Sequence, residues 1–190
     1  MPKSDTRVFL LVLSGALVLS FTGLIIRQIE AANAWQVLFF RSLGFIATLS
    51  LFLIFKYKRE AVSFHRKIDL WDFATAIFIG LSFGTNIYAL TIVSVAQAYF
   101  ILSTLPLMTA LLSWIFLNEK VDRTTWVTIV IVFVGVAIMI ADDFKSLDNI
   151  FGLFIALLSP TFFAVALVLV RARKQVDTIP ATWLAGFVSL

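Results

Sequence analysis

The chain has 190 residues, of which 61% are hydrophobic and 14% charged, and its mean hydropathy is +1.02. A water-soluble domain of this length needs a far more polar surface, so lipid is the solvent for most of the chain. The net charge of +4 sits in short clusters between apolar runs, which reads as topology determinants rather than as a nucleic-acid surface.

A helix needs roughly 20 apolar residues to cross the hydrocarbon layer. Six complete spans are expected, at about Val8–Ile26, Ala34–Phe55, Phe73–Val93, Val95–Phe116, Thr124–Ile140 and Ile150–Val170. The first is too long for a signal-peptide core and is read as uncleaved. A seventh span opens near Ala181 and is cut short at Leu190, so the expectation is that the sequence is a fragment. The apolar stretch from Phe73 to Phe116 is too long for one helix, and a tight turn near Ser94 must divide it. The fold class is therefore all-α, a polytopic membrane helix bundle.

Lys and Arg set the orientation. Twelve of them fall on one side: the N-terminus, the Lys56–Asp72 loop, the Asn118–Arg123 turn and the loop after span six. Only Arg27 and Lys145 fall on the other. This places the N-terminus in the cytoplasm and the Asp142-Asp143 loop outside. Trp35, Trp71, Trp126 and Trp183 sit near span ends, where indole rings prefer the interface.

Leu11–Ile26 aligns with Ala156–Arg171 at an offset of 145, setting Ser14-Gly15 over Ser159-Pro160. A unit of five spans is odd, so a second copy enters the membrane from the opposite side. Inverted five-helix repeats of this kind are typical of secondary transporters. On this reading residues 1–145 form the first repeat and 146–190 the truncated start of a second, ten helices being expected in all. Gly15, Ser159 and Pro160 are then the matched helix interruptions that open a central site.

Arg41 is the charged residue clearly within a span. An arginine at that depth either snorkels or pairs structurally, or else it contacts substrate or gates the path. Ser82 and Asn86 lie one turn apart on span three. On span four, Gln97 and Thr104 share one face, and Tyr99 and Ser103 another. These side chains either bond helix to helix or line a cavity. Ala16, Ser20 and Gly23 on span one, and the Gly80/Gly84 pair on span three, favour close helix packing. Pro106 removes a backbone donor and should bend span four.

No Asp or Glu is expected inside spans one to six, so a membrane hydrolase has no acid–base pair at depth. With no cysteine, neither a disulfide nor a thiolate site is possible. The lone His65 reads as a solvated loop residue. No catalytic residue, metal site or cofactor is expected, and the oligomeric state is left open.

The run Ala89-Leu90-Thr91 to Ser94-Val95-Ala96-Gln97-Ala98, then Leu105-Pro106-Leu107 through Leu117-Asn118-Glu119-Lys120, resembles the core signature of the EamA-type drug/metabolite transporters. Phe40-Arg41, and Trp126 followed by Gly135, are similar to other recurring positions of that family. Gly152 through Arg171 looks like the opening of its second repeat. Asn118 departs from the pattern, standing where the family usually has Gly. The resemblance implies a ten-helix carrier with a central cavity and cytoplasmic termini, moving small metabolites or amino acids, often outward. Its partners would be the lipid bilayer and a small-molecule substrate. Arg41, Pro106 and Glu119 carry over as family markers. The competing readings are a non-transporting membrane scaffold or assembly protein, a four-span multidrug-type exporter and a membrane enzyme. The absence of an acid in span one disfavours the exporter.

Overall fold

A computed structural model describes residues 6, 9–11, 13–18, 20–21, 33–57, 69–142, 147–173 and 178–190. The chain divides into two packing units, Met1–Asn33 and Ala34–Leu190. In the first, the described residues between 6 and 21 are helical. Their serines bond back along the helix, Ser14 to the Leu11 carbonyl and Ser20 to the Ala16 carbonyl, both at 2.9 Å. The second unit contains α1 (Ala34–Tyr57), α2 (Leu70–Ile92), α3 (Val95–Leu102), α4 (Leu105–Leu117), α5 (Arg123–Asp142), α6 (Leu147–Ala172) and α7 (Ile179–Val188).

Among the described residues, four stretches are long and apolar enough to cross a membrane: Ala34–Phe55, Leu70–Ile92, Val95–Leu117 and Ile150–Ala172. The apolar helical stretches Arg123–Ile138 and Ile179–Val188 are shorter, as is Phe9–Val18. Six complete spans were expected. Part of Val8–Ile26 lies outside the described residues, as do His65 and much of the basic loop around it, Arg27, Lys145 and Lys174. Every regular element among the described residues is helical, as lipid demands of a chain that must satisfy its own backbone.

The boundaries come from local hydrogen bonds. Asp69 caps α2, accepting from the Leu70 N–H at 2.7 Å, while Asp72 reaches back to the Asp69 N–H at 3.1 Å. This reciprocal cap starts the helix three residues before the expected Phe73, and it draws Asp72 into the first turn. The division near Ser94 is built the same way. Ser94 Oγ accepts from the Gln97 N–H at 3.1 Å, and Gln97 Oε1 accepts from the Ser94 N–H at 2.9 Å. Two spans with no charge at their junction are thus separated by a serine and a glutamine.

Span four is split at Ser103-Thr104, and Pro106 occupies the first turn of α4. The Leu107 and Met108 N–H groups both donate to the Thr104 carbonyl, at 3.0 and 2.9 Å. Asn118 closes α4 in the left-handed conformation, φ 51°. Asn is among the few side chains that tolerate it, which accounts for Asn in a position where the family usually has Gly. By contrast α6 stays helical through Pro160.

α2 is the hub of the second unit. It packs most extensively on α6 and next on α7. Small residues make this possible: Ala76, Ala166 and Ala185 join Ile79 in a core ringed by Phe78, Phe83, Phe163 and Leu184. A Cβ at Gly80 would stand 2.7 Å from Val188, and one at Gly152 2.7 Å from both Ile92 and Val93. Gly84 is looser, with Leu38 at 3.8 Å.

Candidate functional site

The polar side chains of the second unit fall into two groups. In the first, each group finds a partner across a helix seam. Ser159 donates to the Ser82 carbonyl at 3.1 Å, and the two hydroxyls approach to 3.3 Å. Ser42 donates to the Ser189 carbonyl at 3.0 Å and lies 2.8 Å from its hydroxyl. Trp183 donates its indole N–H to Ser50 at 2.9 Å, and stacks edge-to-face on Phe187. Ser82 and Ser159 are buried, so they face each other rather than open space.

At one end of α6 the seam becomes ionic. Arg173 pairs with Asp72 at 2.8 Å and with Asp69 at 3.5 Å. The Asp72 side chain is only 6% exposed, so this carboxylate is inside the bundle rather than in a solvated loop. Arg171, about half exposed, lies 3.6 Å from Glu119 and donates to Ser113 at 3.3 Å.

The second group sits where α1, α2 and α3 meet. Arg41 lies about 10 Å along α1 from Ala34 at helical rise. Its guanidinium carbon stands 4.8 Å from the Phe83 ring centroid, a cation–π contact. Phe45 holds that ring edge-to-face, at 5.5 Å and 86°. Tyr99 of α3 is within electrostatic reach. Arg41 Nη1 is buried and has no hydrogen-bond partner among the described residues. Inserting an arginine at the centre of a span costs about 3 kcal/mol, so a donor left unpaired there requires an explanation. Asn86 lies one turn beyond Phe83, half-buried; its side chain makes no hydrogen bond to another described residue.

Of the sequence candidates, then, Arg41 is set against the aromatic pair Phe83 and Phe45, with Asn86 on the helix that carries Phe83. Gln97 serves the α3 cap. Ser103 and Thr104 bond back to the Phe100 and Ile101 carbonyls, both at 2.6 Å. Pro106 and Thr104 mark the α3–α4 break, and Pro160 lies buried in α6. Gly15 lies among the helical residues of the first unit. Sequence reasoning missed Phe83 and the Asp72–Arg173 pair. The Asp69-x-x-Asp72 spacing ahead of an apolar run was the available signal for the latter. Among the described residues no group of three or more His, Asp or Glu could hold a metal ion.

No curated protein and no solved structure matches the chain. A family model does: residues 6–141 match the EamA-like transporter family. The match covers well over half of the chain, from the first unit through α5. Among the described residues, four stretches long and apolar enough to cross a membrane, a bundle sealed by small residues and a buried arginine nitrogen without a hydrogen-bond partner accompany it, and the chain belongs to the EamA-like transporter family.

Proposed function

We propose that this protein is a secondary carrier that exports small organic metabolites or amino acids across the plasma or inner membrane, with its N-terminus cytoplasmic. Residues 1–145 form its first five-helix repeat and 146–190 belong to an inverted second one. The cargo passes through chemically unchanged. Family membership supports transport, and the distribution of Lys and Arg supports the orientation.

The observation that carries the cavity reading is the buried, unpartnered Nη1 of Arg41. Arg41, Asn86 and Tyr99 are the cavity's polar lining in this proposal, and the Thr104–Pro106 break in span four supplies movement. A scaffold would have no use for a buried donor left without a partner, since an unpaired polar group only weakens a packed seam. Counterflow in proteoliposomes containing the full-length protein tests the proposal. Arg41→Gln and Asn86→Ala should each reduce transport severely. Unchanged transport of every identified solute in both variants would eliminate this cavity.

A further inference from the structure

We infer that the cargo carries an oxyanion, a carboxylate or phosphate, and that Arg41 is the residue that grips it; this rests on the transport reading above. Four observations lead there. First, Arg41 is charged at a depth where charge must be compensated. Second, no Asp or Glu lies in Ala34–Phe55 or Val95–Leu117, and the sole carboxylate of Leu70–Ile92, Asp72, is already held by Arg173. No described acidic residue pairs with Arg41.

Third, the aromatic contact orients the guanidinium without consuming its donors. Phe83 meets it at 4.8 Å, which holds the charge through the ring while Nη1 stays unpaired. Fourth, Phe83 is itself fixed by Phe45, so the plane of the fork is set before anything binds. A planar fork with a free donor matches the two oxygens of a carboxylate or phosphate. A neutral or cationic solute would leave the buried charge uncompensated. Release is also provided for: the bound anion would be held by one cation, not by a cage of charges.

The test uses full-length protein in proteoliposomes exposed to a defined equimolar mixture of amino acids, organic acids, sugar phosphates, sugars, polyols and amines. Accumulated solutes are identified by mass spectrometry. The expected result is that every solute accumulated above protein-free vesicles bears an oxyanion, the carboxylate and phosphate members showing which kind is taken. Arg41→Gln should weaken its apparent affinity roughly 30-fold or more, as loss of one partner from a buried charge pair does. Arg41→Lys, which keeps charge but loses the fork, should retain more than Arg41→Gln. Accumulation of neutral or cationic solutes by the wild-type protein would overturn this inference while leaving transport intact, whatever the variants do. Oxyanion transport unchanged in Arg41→Gln would overturn it equally. If nothing accumulated, the transport reading itself would fail, and this inference with it.

Discussion

Two regions of the same bundle treat buried polarity in opposite ways. Along the seam of α2 with α6, Ser82 meets Ser159 and Asp72 meets Arg173, each within hydrogen-bonding distance. Where α1 approaches α2 and α3, Arg41 rests on the Phe83 ring with Nη1 unpaired. The seam uses polar groups as fixed connections between helices, and their contribution ends when the bundle has formed. The corner holds polarity in reserve. Polar residues at membrane depth therefore divide by partnership rather than by type, and the unpaired ones are where function should be sought.

The contrast can be broken at several points. The largest stability loss is expected for Asp72→Asn, which leaves Arg173 without its buried partner and should cost about 3 kcal/mol, measured by reversible unfolding in mixed micelles. Gly152→Ala comes next, at roughly 1–2 kcal/mol. Its new methyl meets Ile92 and Val93 at 2.7 Å, and β-branched side chains cannot rotate easily out of the way. Ser82→Ala should cost only about 0.6 kcal/mol, the usual value of an interhelical hydrogen bond in a membrane protein. Glu119→Gln should change stability by less than about 0.5 kcal/mol, because both partners of its ion pair are half exposed. An effect of Glu119→Gln as large as that of Asp72→Asn would erase the distinction between the two ends of the Arg171–Arg173 segment.

Much of the bundle could be read directly from residue chemistry. Apolar length alone located Ala34–Phe55 and the stretch that became α6, since crossing lipid leaves few alternatives. The Ser94 division was legible because the 44 residues from Phe73 to Phe116 are too many for one crossing, while the reciprocal Ser94–Gln97 cap that builds it came from the structure. Asp72 was harder: a carboxylate beside a basic loop looks solvated until a cation from a segment 101 residues away reaches it. The partner of Ser82 was equally hidden, because Ser159 is 77 residues distant and helical periodicity does not specify which face meets which helix. Arg41 stood out by its charge. Phe83 did not, being one of 20 phenylalanines, and only the packing of α1 on α2 distinguishes it.

The division between connecting and reserved polarity is tested most directly by measuring both unfolding free energy and counterflow transport for Arg41→Gln, with Asp72→Asn in parallel. The account predicts that Arg41→Gln is no less stable than the wild type, since relief from burying an incompletely paired charge, about 3 kcal/mol at a span centre, outweighs the lost contact with the Phe83 ring, and yet loses transport. The opposite pattern, Arg41→Gln destabilised as much as Asp72→Asn while transport persists in the folded fraction, would make Arg41 one more structural connection and contradict the account.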